Sequence, residues 1–290
     1  MDKSIMTRSD FRYFERLRVR WAEVDAQKIV FNGHFLMYFD TAVAGYWRAL
    51  SVPYAQTMEA LSGDLFVRKA TVEYLASARY DEALDIGLRC VRVGNSSVLF
   101  SCGAFRQEQL LVSGELVYVF ADPRTQTSKA VPPTLRDVFE GFEAGAPMLD
   151  VQLGSWEELG ARAQVVRTKV FVEEQGIPFE MEWDDADAHA VHALAINRLG
   201  LPLATGRLLV HAPGVARVGR MATLQALRGS GVGRAVLDAL TQAARERGDQ
   251  EVLLHAQVTA QAFYARAGFR PFGQVFDEAG IAHIEMSKPL

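Results

Sequence analysis

Alternation of charged and apolar side chains over residues 16–24 is the first regular pattern in the chain, and a period of two predicts a half-buried strand. Residues 35–50 differ, because only Asp40 and Arg48 are charged there and aromatic side chains recur. A helix that is apolar on nearly every side must be buried over most of its surface. We therefore predict a strand followed by a buried central helix, with Asn32 as the N-cap of that helix.

Further runs with alternating apolar positions follow at residues 65–74, 81–93, 98–106 and 110–120. The apolar faces of the two middle runs carry Leu84, Ile86, Leu88 and Cys90, and then Val98, Phe100, Cys102 and Ala104. Such alternation with short connections is typical of an antiparallel sheet. The first half is therefore predicted to be a long apolar helix wrapped by an antiparallel sheet.

A different order of elements is predicted after the Gly-Ala-Pro sequence at 145–147, which is interpreted as the joint between domains 1–145 and 146–290. A capping box formed by Ser155 and Glu158 begins a helix that reaches about residue 171, and an acidic, loop-like segment follows at 173–187. Strands are predicted at 191–197, 203–210, 216–223 and 251–256, helices at 232–247 and 259–267, and strand-like pieces at 275–288.

Composition limits the function classes. The chain of 290 residues is 49% hydrophobic and carries a net charge of −4, so no basic stripe exists and no nucleic-acid partner is expected. Cys90 and Cys102 lie on predicted strands and are expected to be reduced, buried thiols. The sequence shows no signal peptide, membrane span or zinc-type histidine spacing. A cytoplasmic protein without a metal or a permanently bound cofactor is therefore expected.

Three glycines alternate between a predicted strand and a predicted helix, in residues 228–234. A loop without Cβ atoms lets a ligand approach the backbone, and the first N–H groups of a helix have no partner within it. Together with the helix dipole they form a site for an anion, most often phosphate. From the glycines alone, a plain strand-to-helix turn is an equally good interpretation.

Residues 19–40, with Asp25 after the first strand and Asn32 before the helix, carry a family resemblance. With the predicted helix and sheet, they resemble the hotdog-fold acyl-CoA thioesterases of the 4-hydroxybenzoyl-CoA thioesterase (YbgC-like) type, over roughly residues 14–140. The resemblance implies that Asp25 is the catalytic carboxylate and that the backbone N–H at Asn32 polarises the thioester carbonyl. It also implies a homodimer or tetramer, because hotdog domains join their sheets and place their sites at the interface.

The chemistry of thioester hydrolysis suits these parts. Negative charge develops on the carbonyl oxygen, for which an N–H at a helix start is a pre-oriented donor. The Asp25 carboxylate could attack the carbonyl or activate water, and the sequence leaves both roles open. Residues 27–28 are Gln-Lys where the family often has Gly-Gly. Asp40 is a second candidate acid, as in another hotdog subgroup, and His34 with either carboxylate would suit a dehydratase.

The second half carries two motifs in order. Residues 228–233 match the Arg/Gln-x-x-Gly-x-Gly/Ala signature of GNAT N-acetyltransferases, and residues 263–269 match their downstream motif. The acidic segment and residues 276–283 resemble the ElaA-like subgroup, so the resemblance covers about residues 150–290. It implies that CoA or acetyl-CoA binds as substrate, with its pyrophosphate on the glycine loop and its pantetheine arm along the preceding strand. The implied binding residues are Met221, Ala222, Thr223, Arg228, Gly229, Ser230, Gly231, Val232, Gly233 and Arg234.

Amine acetylation needs a base for the incoming ammonium and an acid for the leaving thiolate. The resemblance makes Tyr264 the candidate acid, and an aromatic residue that only packs its helix is the alternative. The sequence does not choose among the candidate bases, which are Glu173, Glu174, His192 and His255. Three aspartates are interpreted as a solvated acidic surface able to attract a cationic amine: Asp184, Asp185 and Asp187.

The leading hypothesis is an α+β, bifunctional CoA enzyme. Its N-terminal hotdog domain would hydrolyse acyl-CoA, and its C-terminal GNAT domain would transfer an acetyl or acyl group from CoA to an amine. In the alternatives one half has lost catalysis, which leaves either a thioesterase with a CoA-sensing module or a transferase on a dimerising hotdog scaffold. The acyl chain and the amine cannot be identified from the sequence.

Overall fold

The computed structural model of the chain describes residues 6–290. The chain forms two compact units, the first ending at Met148 and the second spanning Leu149–Leu290. Each unit contains one sheet with helices packed on it, which confirms the predicted α+β class. The boundary between the units directly follows residues 145–147.

Five strands form the sheet of the first unit: β1 Tyr13–Arg18, β2 Asp64–Tyr74, β3 Ala83–Val93, β4 Ser97–Arg106 and β5 Gln109–Ala121. They are antiparallel throughout, in the order β1-β3-β4-β5-β2, so that β2 is an edge strand. The apolar faces predicted for β3 and β4 are buried. Cys90 and Cys102 are free, buried thiols, as predicted.

The central helix α1 spans His34–Ala49 and packs on this sheet through aromatic side chains. Two shorter helices follow, α2 (Tyr54–Ala60) and α3 (Pro133–Glu143). Tyr46 is fully buried, with ring centroids of Phe100 and Phe139 at 5.8 and 6.4 Å. Burial of such large apolar surfaces is the main source of stability for this unit.

The predicted N-cap of α1 is wrong. Gly33 precedes the helix, with φ −64°, and no side chain caps the helix start. Asn32 lies one residue earlier, in the turn that leads into α1. Its side chain therefore does not cap the helix, whose first two N–H groups, those of His34 and Phe35, donate to the Phe31 and Asn32 carbonyls at 2.9 and 3.3 Å.

The first strand is shorter than its alternating pattern predicted. β1 ends at Arg18, and residues Trp21–Glu23 form a 3₁₀ turn. The Glu23 carboxylate is 3% exposed and accepts hydrogen bonds from the Arg20 N–H at 2.7 Å and from the Tyr38 hydroxyl at 2.8 Å. Because Tyr38 belongs to α1, these bonds draw the chain out of the sheet and against the helix.

Seven strands form the sheet of the second unit: β6 Leu149–Gly154, β7 Val191–Asn197, β8 Pro202–Ala212, β9 Val215–Thr223, β10 Glu251–Gln257, β11 Arg270–Glu278 and β12 Ile281–Pro289. Their order is β11-β12-β10-β9-β8-β7-β6, and only β9 and β10 are parallel. β6 was not predicted, although Leu149 and Val151 pack against the core of the unit.

Four helices belong to this unit: α4 Trp156–Arg167, α5 Phe179–Glu182, α6 Val232–Arg247 and α7 Gln261–Arg266. α4 begins at the predicted capping box, since the Glu158 N–H donates to Ser155 Oγ at 3.3 Å. After α4 the chain continues as a π-helical segment, Thr168–Glu174. α4 packs on Leu194 of β7, while Ala193 and Ala195, on the opposite face, join the core that contains α6. No helix in residues 6–290 is long and apolar enough to cross a lipid bilayer.

Candidate active sites

Asp25 begins a tight loop between β1 and α1. Its N–H donates to the Ile29 carbonyl at 2.9 Å, and its own carbonyl accepts from Lys28, whose φ is +62°. One carboxylate oxygen accepts from the Gln27 N–H at 2.8 Å, and residues 6–290 provide no hydrogen bond to the other. The residue is half-buried, so a carboxylate oxygen stays available to a substrate or a water molecule.

Backbone pairing holds the Asp25 loop beside the start of α1. Val24 and Val30 form an antiparallel bridge that closes the loop, and Asn32 follows two residues later. The Asn32 carbonyl accepts from the Tyr74 hydroxyl at 3.0 Å, but its N–H finds no acceptor within the described part of the chain. This N–H is therefore free to donate to the carbonyl oxygen of a ligand.

Apolar side chains around this segment are exposed in the single chain. Trp21 and Tyr80 contact each other edge to face, with ring centroids 5.4 Å apart, and are 74% and 53% exposed. Five more exposed side chains lie on the same segment, on α1 or at the end of β2: Phe31, Leu36, Met37, Tyr74 and Leu75. Clusters of exposed apolar side chains are typical of a binding or association surface.

The other acids and bases considered in the first half do not form a pair. Asp40 is exposed on α1. Burial of the Tyr118 hydroxyl is the main cause that raises the Tyr118 pKa to about 12, and the charge of Asp40 is the second. The His34 ring packs on Phe31, with its Nδ1 at 3.4 Å from the Met37 sulfur. Among the described residues no carboxylate is hydrogen-bonded to His34, so the pair required by the dehydratase interpretation is not formed there.

In the second unit, strands β9 and β10 separate halfway along their length. They pair only where Val215–Val218 faces Glu251–Leu254. Beyond that point β9 remains paired with β8 as far as Thr223, and β10 with β12 as far as Gln257. A gap therefore opens between the two strands beyond Val218 and Leu254. Backbone N–H and C=O groups along its edges, including those of residues 221–223, can pair with an extended ligand.

The glycine loop next to this gap presents unpaired N–H groups. Gly229 and Gly231 have φ of +82° and +93°, a conformation that glycine adopts without strain, and α6 begins at Val232. In residues 6–290 no protein acceptor is found for the N–H groups of Gly229, Gly231, Val232 and Gly233. Ser230 is different, because its N–H and hydroxyl both donate to the Leu227 carbonyl, at 3.2 and 2.7 Å.

The two arginines of the loop are engaged with protein groups. Arg228 donates from both terminal nitrogens to the Glu174 carboxylate at 2.7 Å. Arg234 Nε lies 2.8 Å from the Asp238 carboxylate, one turn further along α6. Each positive charge is therefore partly neutralised in the structure, so the backbone N–H groups are the clearest anion donors of the loop.

A cavity of about 450 Å³ extends from the gap between β9 and β10 and contains Tyr264 in its wall. The Tyr264 side chain packs edge to face on Phe263 and Phe269, and burial raises its pKa to about 12. Its hydroxyl has no hydrogen-bond partner within the described chain. Tyr264 therefore stays protonated at neutral pH and can donate that proton into the cavity.

Of the four candidate bases, only His255 lies in the cavity wall. Glu173 is exposed elsewhere, and Glu174 is paired with Arg228. His192 is buried, its Nε2 lies 2.9 Å from the Asp187 carbonyl, and burial lowers its pKa. His192 is therefore best explained as a structural histidine, which leaves His255 as the candidate proton acceptor.

The acidic segment is not the solvated surface that its composition predicted. Asp187 is 3% exposed and accepts from Arg167 at 2.9 Å and from Arg207 at 2.7 Å. Asp184 accepts from Arg207 at 2.6 Å, and hydrogen bonds from this arginine lower the pKa of Asp184. These ion pairs fold the segment into the cavity wall, although Asp184 and Asp185 both remain exposed, as predicted.

Several charged cavity residues were missed in the sequence. All of them lie in predicted strands or in the acidic segment, where a charged side chain was interpreted as facing solvent: Glu182, Arg207, Arg217, Arg220, Glu278 and His283. The sequence signal that could have identified such residues is a basic side chain between apolar neighbours in a strand, as at Arg217 in β9.

Comparisons with known proteins agree with this division of the chain. The family model of the thioesterase superfamily matches residues 27–113, and that of the acetyltransferase (GNAT) domain matches residues 205–290. YjcF of Bacillus subtilis, described as an uncharacterized N-acetyltransferase, is 34% identical over 133 residues, which are 46% of this chain and 94% of YjcF. Protein ElaA of Escherichia coli is 34% identical over 129 residues, 43% of this chain and 84% of ElaA.

Among solved structures, the DHNA-CoA thioesterase of Staphylococcus aureus covers 45% of this chain and 90% of its own, with 18% identity and a TM-score of 0.42. From the family models and the relatives, the first half is a thioesterase-superfamily domain, and through its second half the chain belongs to the GNAT acetyltransferase family. The predicted fusion is thus confirmed, and its two domains define a CoA-related enzyme.

Proposed function

We propose that the protein is a bifunctional CoA enzyme. The first half hydrolyses acyl-CoA thioesters, and the second half transfers an acetyl or acyl group from CoA to an amine. The observation that carries the proposal is common to both halves. A backbone N–H without an acceptor in residues 6–290 lies at Asn32, just before α1, and others lie at the start of α6, each beside a side chain suited to proton transfer or attack.

In the first half, the thioester carbonyl accepts a hydrogen bond from the Asn32 N–H, which stabilises negative charge on its oxygen. Asp25 either attacks the carbonyl carbon or takes a proton from the attacking water. In both routes the C–S bond breaks, a C–O bond replaces it, and free CoA thiol and a carboxylic acid leave. The single hydrogen bond to the Asp25 carboxylate supports this role, because one oxygen remains uncommitted.

In the second half, the pyrophosphate of CoA binds the N–H groups of the glycine loop, and Arg228 and Arg234 add weaker attraction. The pantetheine arm pairs with the free edge of β9 at residues 221–223. The amine attacks the thioester carbon, a C–N bond forms and the C–S bond breaks. The proton lost by the ammonium goes to His255, and the CoA thiolate takes the Tyr264 proton. The position of Tyr264 in the cavity wall, with its hydroxyl unbonded to residues 6–290, supports this assignment.

The first half associates with a second copy through the edge strand β2, giving a homodimer or a tetramer. This strand has 11 residues and a single neighbour, β5. Val67 and Phe66 on it are 56% and 36% exposed. A long edge strand with exposed apolar side chains readily pairs with another strand. Association would also cover the exposed apolar side chains around Asn32.

The decisive experiment follows release of CoA thiol from a panel of acyl-CoAs, with and without an added amine panel. We expect Asp25→Ala to remove the amine-independent release and Tyr264→Phe to reduce the amine-dependent release. Wild type that shows only amine-independent release would favour a thioesterase with a CoA-sensing module. Wild type that shows only amine-dependent release would favour a transferase on a hotdog scaffold.

A further inference from the structure

We infer that the amine accepted by the second half carries an anionic oxygen group, a carboxylate or a phosphate, which binds the arginines that surround Gly219. The inference rests on the proposed transferase function, because it assigns the class of the acceptor. Three arginines take part: Arg207 of β8 and Arg217 and Arg220 of β9, all in the wall of the 450 Å³ cavity. Nothing in the assignment depends on the site where CoA itself would bind.

Ion pairs engage the terminal nitrogens of Arg207 but not its Nε–H. Its terminal nitrogens donate to Asp184 at 2.6 and 2.7 Å and to Asp187 at 2.7 Å. The Nε–H is buried and has no hydrogen-bond partner within residues 6–290. A buried donor on a side chain that is 9% exposed normally has a partner, so this one is available to a ligand.

Gly219 leaves space beside that donor. Arg207 and Gly219 face each other in the register of β8 and β9. A Cβ atom built on Gly219 would meet only one neighbouring atom within 4 Å, and that atom is Arg207 Nε at 4.0 Å. The free donor therefore borders an open volume that any larger residue at position 219 would fill.

The next residue, Arg220, adds a second donor of the same kind. Its φ is +51°, at a point where the register between β8 and β9 shifts, so the strand bulges here. The Arg220 Nε–H is also buried without a hydrogen bond, and a Glu182 oxygen lies 3.5 Å from it. The bulge thus places a second guanidinium directly after Gly219.

Arg217 supplies the positive charge that is not neutralised. Arg167, Arg207 and Arg220 share three carboxylates, those of Glu182, Asp184 and Asp187. No carboxylate in the described chain lies within salt-bridge distance of Arg217. Its one polar partner is His255 Nδ1, at 3.0 Å from Arg217 Nη2. Arg217 is one of the charges that attract Glu278, but no carboxylate of residues 6–290 holds it in an ion pair, so an anion in the cavity could bind this guanidinium directly.

The ammonium end of the acceptor also has candidate partners in the cavity wall. Glu278 Oε2 lies 3.1 Å from the same Nδ1 atom of His255, so a guanidinium and a carboxylate both contact this nitrogen. Glu285 Oε1 lies 3.5 Å from its Nε2. A purely cationic amine would leave Arg217 facing a like charge. An amine with an anionic group can instead place its ammonium toward Glu278 and His255 and its anion toward Arg217.

The test uses pairs of amines that differ in the anionic group: 4-aminobutyrate with butylamine, and O-phosphoethanolamine with ethanolamine. Amine-dependent release of CoA from acetyl-CoA gives kcat/KM for each. We expect the anionic member of one pair to be preferred roughly 10- to 100-fold, as for a charged hydrogen bond that is kept or lost. The pair with the larger preference identifies carboxylate or phosphate as the group.

Three variants connect the preference to the site. Arg217→Gln removes the unpaired charge, and Gly219→Val fills the open volume without removing a charge. Both should abolish the preference, while Arg198→Gln, at an exposed arginine in the turn between β7 and β8, should keep it. Thermal unfolding and CoA affinity of each variant show whether the fold is intact. Equal use of both members of each pair by wild type, or an unchanged preference in Arg217→Gln, overturns the inference.

Calorimetry separates this inference from the transferase proposal. Binding of 4-aminobutyrate and O-phosphoethanolamine to the CoA-loaded full chain is measured for wild type and Arg217→Gln. If no amine is acetylated but wild type binds one of these compounds and Arg217→Gln does not, the transferase proposal fails and the anion site stands. If neither compound binds and no preference is seen in turnover, the anion site is refuted.

Discussion

The two halves of the chain build their candidate sites in opposite ways. In the first half, Asp25 and Asn32 lie on a half-buried to exposed loop bordered by exposed aromatic side chains such as Trp21. In the second half, the candidate groups line a cavity, and most charged side chains in its wall have a partner of opposite charge. One site lies on an open loop, and the other is a partly open cavity whose wall charges are largely paired.

This difference indicates what each site still needs. A pre-organised polar cavity can stabilise developing charge without further rearrangement once its ligand is bound. An open site on a loop cannot exclude water by itself, and a second protein surface would have to cover it. The comparison therefore agrees with a first half that works as an oligomer and a second half whose site is complete in one chain. Four predictions test this contrast, starting with the largest effect.

The largest effect is expected at Asp25. Asp25→Asn removes the carboxylate but keeps its size, so hydrolysis of acyl-CoA should fall by about 10²- to 10⁴-fold. Amine-dependent transfer should be unchanged, because that site lies in the other half. Asp40→Asn is the matched control on α1. If Asp40→Asn abolishes hydrolysis and Asp25→Asn does not, the assignment of the catalytic acid is wrong.

Arg167 tests whether the second half depends on its buried charges. This side chain is 1% exposed, donates to Glu182 at 2.5 Å and Asp187 at 2.9 Å, and packs on the Trp183 ring at 4.6 Å. Arg167→Ala leaves two buried carboxylates without this partner and should cost roughly 3–5 kcal/mol.

Hydrogen exchange measured by mass spectrometry can locate this loss. Peptides from Leu149–Leu290 should exchange faster in Arg167→Ala, and peptides from the first unit should not. The exposed Arg198→Ala serves as the control. A loss below about 1 kcal/mol, as for a surface ion pair, would contradict the importance of the buried network.

The open site of the first half is tested on the edge strand. Val67→Lys introduces like charges at a β2–β2 interface, which should weaken association by roughly 2 kcal/mol or more. Light scattering should show a smaller mass, and hydrolysis should fall while transfer persists. Val210→Lys, at an exposed valine of β8, is the control. An unchanged mass in Val67→Lys would rule out β2 as the interface.

The smallest effect concerns Glu23, which fixes the segment before Asp25. Burial acts to raise the pKa of Glu23, but hydrogen bonds from Arg20 and Tyr38 outweigh it and hold the pKa below its ordinary value. A carboxylate whose pKa is lower in the folded than in the unfolded state stabilises the fold at pH values above its ordinary pKa. This contribution is lost as the pH falls through the lowered pKa of the folded state.

Glu23→Gln should therefore cost about 1–2 kcal/mol near neutral pH, the worth of hydrogen bonds to a charged group, and progressively less in acid. Denaturant unfolding of wild type and variant across this range gives the difference. Glu59→Gln, at an exposed carboxylate of α2, provides a comparison outside the α1 contact. A difference that stays constant with pH would contradict the role of the ionised carboxylate.

Much of the fold could be predicted from the sequence because its signals are local. The alternation in β3, β4 and β5 placed their strands to within two residues, and the capping box at Ser155 fixed the start of α4. The glycines at 229 and 231 and the motif around Tyr264 were recognisable in the same way. Periodicity failed at β1, where bonds of Glu23 to Arg20 and Tyr38 turn the chain out of the sheet.

The sequence by itself determined two halves and most of their element order, because these depend on neighbouring side chains. Its family resemblances supplied the candidate residues Asp25, Asn32 and Tyr264. Only the tertiary structure decided which charges are paired. The acidic segment joins arginines at least 15 positions away, and Arg217 is the one cavity arginine that forms no ion pair with a carboxylate of residues 6–290. The separation of β9 from β10 is equally non-local, because it depends on where two strands more than 30 residues apart stop pairing.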